Sequence, residues 1–281
     1  RYHLAPPRTW SELKAICRKI LPREKSLKYG LLIHAAYTVN DFYPVFWGFG
    51  GRVMDLDEGK YVLPQAPNRA AFVATLKELM SMQGTIMPGP REFKDFEPSG
   101  TLRQAFFKGQ TLFMINWNTR MKDLRDLIAK AEGPSGSLTN ISQVGVVPIP
   151  AKAGEPHRYS NLGSFGWAVN RFSVTSPEII EQCKQFIRLV ADEQFQLLAA
   201  ATMGQVPSLL TALKKVTNQE VLQVYQDTFA QKDMLIRPRP HSRLINNVLE
   251  KYLQEALRGR QTAEAAFTGA LREIKKEQES R

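Results

Sequence analysis

Trp117, flanked by Asn116 and Asn118 where an apolar run Thr111-Leu112-Phe113-Met114-Ile115 gives out, is the most informative group of the chain. A flat indole covers the apolar face of a sugar-like molecule, while short carboxamides fix its hydroxyl groups. A second such set is Asn40, Asp41 and Tyr43, inside the dense aromatic stretch Asn40-Asp41-Phe42-Tyr43-Pro44-Val45-Phe46-Trp47 that closes at Gly50-Gly51. Gly163-Ser164-Phe165-Gly166 offers backbone N–H groups with little steric cover, and Arg237, Arg239 and Arg243, spaced by Pro238 and Pro240, could present a guanidinium. Each set also has a plainer reading: a core tryptophan, a surface turn, a hinge turn and surface charge.

Catalytic groups do not assemble in the same way. The four histidines are His3, His34, His157 and His241, and none has a carboxylate or nucleophile at motif spacing. There is no Gly-x-Ser-x-Gly elbow, phosphate-binding glycine loop or His-Glu-x-x-His pair. Cys17 and Cys183 stand apart, each among apolar and basic residues, which disfavours a zinc site and leaves buried free thiols as the first reading and a disulfide or reactive thiol as the second. The pattern points to a binding protein that is not an enzyme and uses no cofactor or metal.

The elements that position these groups follow from punctuation and periodicity. Pro6-Pro7 and the Thr9/Glu12 capping-box spacing predict a helix to about Ile20. Gly30 to Ala35 reads as a buried strand and the 40–47 stretch as an aromatic turn. Helices are expected over 68–82, up to Gly109, and over 119–131, with strands at 111–116, 143–149 and from the Gly163 turn to Asn170. Ser176-Pro177-Glu178 opens another helix. Short helices continue to about Ala230, and two more occupy 242–257 and 263–277, broken at Gly259. The stretches 133–139 and 151–157 read as exposed loops. Strands alternating with helices predict an α/β fold with helices on both faces of mixed sheets.

With 281 residues, 43% of them hydrophobic, the chain can build one large or two ordinary domains, which excludes general disorder. No run is long and apolar enough for a membrane span, and no signal-type apolar segment lies near Arg1. The net charge of +11 is spread along the chain, densest between Arg1 and Lys28, where it alternates with apolar residues as on a solvated helix face.

In order along the chain, these residues resemble the extracellular solute-binding proteins of sugar ABC transporters, the broad family that includes maltose-binding protein. Pro6-Pro7-Arg8-Thr9-Trp10-Ser11-Glu12 resembles that family's Pro-Pro-x-Thr-Trp-x-Glu segment, and the aromatic stretch before Gly50-Gly51 has its counterpart there. Phe106-x-x-Gly109-x-x-x-Phe113-Met114-Ile115-Asn116-Trp117 is similar to its helix-glycine-strand-tryptophan element. Val144-Gly145-Val146-Val147-Pro148, Ser176-Pro177-Glu178 and Gly259-Arg260-Gln261-Thr262-Ala263-Glu264-Ala265 follow in the expected order.

The resemblance implies a periplasmic-binding-protein-like two-lobe α/β fold of type II. Residues 1–160 would form the first part of a C-terminal-type lobe, 161–235 the crossover and a remnant of the N-terminal-type lobe, and 236–281 the return to the C-terminal-type lobe with a helical tail. Family members carry over a hundred residues before the Pro-Pro-x-Thr-Trp segment, so most of the N-terminal lobe is expected to be missing. Implied ligand positions are Asn40, Asp41, Tyr43 and Trp47, Asn116 and Trp117, Gly163, Ser164 and Phe165, and Arg237 and His241. The tryptophan follows Asn116 directly, whereas maltose-binding protein has two intervening residues, which alters the stacking geometry. The expected partners are a sugar or polyol and an ABC-transporter membrane permease, with no nucleic acid; the protein would act as a monomer in the periplasm or outside the cell, with a lipid anchor as one mode of attachment. The competing reading keeps the fold and makes the chain a basic, non-enzymatic module for an anionic polymer or surface. Heparin retention that falls steeply with salt would favour it.

Overall fold

In a computed structural model of the chain the described residues are 2–35, 38–55, 60–96, 99–117, 119–130, 136–155, 157–161, 166–170, 172–216, 235–236 and 242–279. Helix α1 (Trp10–Ile20) opens on the expected capping box: Thr9 Oγ1 accepts the Glu12 N–H at 3.2 Å and the Glu12 carboxylate accepts the Thr9 N–H at 3.2 Å. Two donors that the first turn cannot satisfy internally are thereby paired. Its stripe Trp10, Leu13, Cys17 and Ile20 is buried, because a spacing of three or four residues keeps side chains on one face. Strand β1 (Tyr29–Leu32) passes so close to that face that a Cβ on Gly30 would lie 2.5 Å from Cys17 Sγ.

Strand β1 pairs in parallel with β2 (Thr111–Met114), in a register that sets Leu31 against Phe113 and Leu32 against Met114. Parallel neighbours require a long crossover. Here it consists of α2 (Thr38–Gly48), α3 (Ala66–Met82) and α4 (Ser99–Phe107). Helix α4 stops as the sequence suggests, with Gly109 at φ +64° beyond its end; a Cβ there would meet the Gly136 carbonyl oxygen at 2.5 Å.

The tail helices α9 (Ser242–Leu257) and α10 (Ala263–Glu279) pack against each other and against α2 and α3. Phe72 of α3 is the hub of this contact, with ring centroids 5.0 Å from Phe42, 6.0 Å from Phe46 and 5.2 Å from Phe267. Residues 242–274 and 10–105 therefore contribute to one core. A satellite cluster joins Phe107 and Leu124, the latter on α5 (Arg120–Ala129), to Val144.

Several expected elements differ. The 40–47 stretch is not a turn but lies within helix α2, buried on nearly every side despite Pro44 inside it. The strand expected from Gly30 to Ala35 ends at Leu32. The strand expected over 143–149 is absent: a 3-10 turn occupies Ile141–Gln143, capped by Asn140, and irregular backbone follows to Pro150. Pro148 and Pro150 lack the N–H that a ladder needs. Ala151, expected in an exposed loop, is buried and bridged in parallel to Thr9, with Trp10 donating its N–H to the Ala151 carbonyl at 3.1 Å and Ala151 donating to Arg8 at 3.0 Å. Residues 166–170 carry no strand.

Strand β3 (Ser160–Asn161) pairs in parallel with β4 (Leu235–Ile236). Between them lie α6 (Pro177–Ala191), α7 (Glu193–Met203) and α8 (Leu210–Lys215). Ser176 stands at the N-cap of α6 without a side-chain capping bond, and Pro177 occupies the first turn. Helix α6 buries none of its residues, and Trp167, Phe186, Leu189, Leu198 and Leu210 are exposed in this region. The Trp167 and Phe186 rings meet edge to face at 5.1 Å. Instead of mixed sheets, the described residues contain two parallel two-stranded pairs, with helices as the bulk of the fold.

Candidate functional site

The two sets of candidate binding residues emerge from the same edge of one sheet. Asn116 and Trp117 follow the carboxyl end of β2, and His34 and then α2 follow the carboxyl end of the adjacent parallel strand β1. The Ile115 N–H donates to the Leu32 carbonyl at 3.0 Å, which holds the two exits together. Ligands of α/β proteins gather at the carboxyl edge of parallel strands, where the chain leaves the sheet with free backbone and side-chain groups.

Trp117 is 38% exposed, the open member of the set. Its backbone N–H donates to Asn116 Oδ1 at 2.9 Å, and Asn116 Nδ2 lies 3.6 Å from Met114 Sδ. Such local bonds set the direction in which the chain turns out of the strand.

On α2 the candidates occupy different depths. Asp41 is buried: its Oδ2 accepts the His34 N–H at 2.7 Å and lies 3.1 Å from His34 Nδ1. The histidine thus has a carboxylate partner seven residues away, a pairing that linear motif spacing does not signal and that the helical form of 38–48 creates. Trp47 is buried and stacks on Tyr43, with centroids 5.5 Å apart and planes inclined by 6°. The half-buried Tyr43 donates its hydroxyl to Asn246 Oδ1 of α9 at 2.6 Å, and burial together with Tyr61 and Glu250 raises its pKa far above the usual phenol range. Asn40 is half-buried near the start of the helix.

Three residues that hold this helix were not identifiable as functional from the sequence. Glu250 accepts the N–H groups of Thr38 and Val39 at 2.8 and 2.7 Å, filling the place of an N-cap from a distant helix. Asn161 donates its carboxamide N–H to the Asn40 carbonyl. Arg52 donates to the carbonyls of Gly51 and Trp47 at the other end of the helix, at 2.7 and 3.3 Å, while its guanidinium covers the Tyr159 ring at 5.0 Å. Only the asparagine had a signal: a proline inside a helix leaves one carbonyl in need of a donor.

Gly163, Ser164 and Phe165, and likewise Asn118, Arg237 and His241, lie outside the described residues. Among the described residues no cluster of histidine, cysteine, aspartate or glutamate could hold a metal ion. Both cysteines are free; Cys17 is buried and Cys183 half-buried.

The fold has counterparts among known proteins. A curated relative, a probable ABC transporter-binding protein of Deinococcus radiodurans, is 25% identical over 217 residues, which are 75% of this chain and 46% of the relative. The chain therefore spans about half the length of that relative. The maltose-bound MalE3 of T. maritima superposes with a TM-score of 0.74 at 25% identity, over 96% of this chain and 66% of that one. The maltose/maltodextrin-binding MalE domain of Bdellovibrio bacteriovorus, bound to maltotriose, gives 0.74 at 19% identity over 99% and 68%. A solute-binding protein of Agrobacterium radiobacter in complex with ribitol gives 0.72 at 21% over 97% and 65%. The architecture is thus the helix-rich α/β fold of the MalE-type binding proteins, over about two thirds of their length. Residues 3–224, well over half of the chain, match the family described as bacterial extracellular solute-binding protein, and the chain belongs to that family.

Proposed function

We propose that this chain forms a wall of the binding cleft of a transport protein that captures a sugar or polyol outside the cytoplasm and hands it to an ABC-transporter permease. The observation that carries this reading is the shared carboxyl edge of β1 and β2, from which Trp117 with Asn116 and the helix bearing Asn40 and Tyr43 all emerge. Trp117 and Asn40 would face the ligand, whereas Asp41 and Trp47 would stand behind them and hold the wall in shape. Gly163, Ser164, Phe165, Arg237 and His241 remain members of the proposed site. The ligands of the maltose-bound and ribitol-bound neighbours support a polyhydroxylated solute.

The lobes are proposed as 1–160 with 236–281, and 161–235. Two facts support this division. The 242–279 helices share a core with α2 and α3, and the parallel pair β3–β4 lies where the chain would leave the first lobe and return to it. A periplasmic or extracellular location follows from the same reading.

The test is tryptophan fluorescence, titrated with maltose and with ribitol up to about 10 mM, of the 281-residue chain and of a longer protein in which it is joined to a complete second wall of the cleft. In the two-walled protein the expected outcome is a saturable response that Trp117→Ala weakens by about 1–3 kcal/mol, with circular dichroism unchanged because the indole is more than one-third exposed. The 281-residue chain should respond poorly or not at all, because a cleft ligand draws its affinity from both walls. No response of the two-walled protein to either compound, or one indifferent to Trp117, would remove the cleft edge from the reading.

A further inference from the structure

Pro44 sits in the middle of α2, four residues after Asn40. In an uninterrupted helix the Asn40 carbonyl would accept the N–H of residue 44, but proline has none, so this acceptor is left over in a helix that is otherwise buried. The donor that takes it is the side-chain carboxamide of Asn161, which lies 121 positions further along the chain. Asn161 belongs to β3, which pairs in parallel with β4, Ser160 with Leu235 and Asn161 with Ile236. Helix α2 packs on this strand.

Helix α2 is also held by other contacts. Glu250 fixes the Thr38 and Val39 N–H groups, and His34 fixes the Asp41 carboxylate. Downstream, Tyr43 is fixed through Asn246. Those contacts join α2 to α9 and to the end of β1, which share its core. The Asn161 bond differs because it ties the helix to the strand pair at which the 161–235 segment departs and returns.

We infer that Asn161 is a positioning residue: through the acceptor that Pro44 leaves open, it couples the β3–β4 crossover to the binding helix and sets where Asn40 stands relative to that crossover. The inference deepens the cleft reading above and rests on it for its meaning in ligand capture, but the coupling itself can be measured without any ligand. Pro44 and Asn161 act as one device. Replacing Pro44 by alanine restores an N–H that bonds the Asn40 carbonyl within the helix, and so makes the asparagine dispensable for satisfying the helix, though not for tying the strand to it.

The experiment is amide hydrogen exchange followed by mass spectrometry on the full chain and on Asn161→Ala, Pro44→Ala and the double variant, reading peptides that cover 38–43 and 157–161 separately. Asn161→Ala should speed exchange about 3- to 10-fold in both peptides. The double variant should regain protection in 38–43 and stay fast in 157–161. Asn161→Asp, which keeps the shape and loses the donor, should behave as Asn161→Ala and guards against a packing effect of the smaller side chain. Unchanged exchange at 157–161 in Asn161→Ala, or recovery of both peptides in the double variant, would reduce Asn161 to a local hydrogen-bond donor and overturn the coupling. A maltose titration of the two-walled protein separates the two readings. No response there, alongside the split exchange pattern in the variants, would sink the cleft assignment and leave the coupling standing.

Discussion

The Glu250 carboxylate accepts the Val39 N–H at 2.7 Å across 211 positions of sequence, and its second oxygen takes the Thr38 N–H at 2.8 Å. The first turn of α2 thus begins on a side chain of α9. Replacing Glu250 by alanine orphans both donors and should cost about 1–3 kcal/mol in urea unfolding. A change below about 0.5 kcal/mol would mean that water caps the helix equally well.

The same carboxylate makes stability depend on pH. Burial raises the Glu250 pKa above its ordinary 4.5, against the opposing pull of the Val39, Gln254 and Thr38 hydrogen bonds. A carboxyl group with a raised folded pKa folds with proton uptake, so its favourable contribution is complete below about 4.5 and is lost as pH rises through the folded value. Relative to Glu250→Gln, the wild type should therefore gain stability as pH falls from neutral towards 4.5. A difference in urea midpoint that does not vary over this window would show that the group stays ionised throughout.

The two cysteines should separate cleanly in alkylation. Cys17 is fully buried and burial pushes its thiol up to about 12, so little of the reactive thiolate forms near neutrality. Cys183 is only half-buried. Iodoacetamide at about pH 8 should label Cys183 alone in the native protein and both residues in urea, as read by peptide mass spectrometry. Native labelling of Cys17 would place the packing of α1 against Gly30 in error.

Phe72 connects α2, α3 and α10 through three ring contacts. Phe72→Ala should destabilise the chain by about 3–5 kcal/mol and release α10, visible as new proteolytic cleavage between 257 and 263. A loss of stability without such cleavage would show that the tail helix docks without this ring.

What the sequence disclosed and what it hid divide along one physical line. The Thr9/Glu12 capping box, the stop at Gly109, Pro177 at the start of α6 and the helical tail were legible because each depends on neighbours within a few residues. Helix α2 escapes a sequence reading because the groups that hold it, Glu250 at its first turn and Asn161 at the carbonyl that Pro44 leaves open, come from far along the chain. The 143–149 run has strand-like composition, but composition does not supply a neighbouring strand. For the candidate site, residue types pointed to aromatic and carboxamide groups, whereas depth did not show: Asp41 and Trp47 turn inward while Trp117 stays open.

The bridge between Thr9 and Ala151 bears on how the molecule is made. The residues that begin α1 bond to backbone that is synthesised roughly 140 residues later. At typical elongation rates that interval is on the order of ten seconds. Through it, the start of α1 lacks its partner backbone, and the loop to be closed carries an entropic cost. Strand β1, which follows α1 within ten residues and meets it at Gly30, can cover the Cys17 face at once, so the Thr9–Ala151 bridge is a late seal on a helix that is already docked.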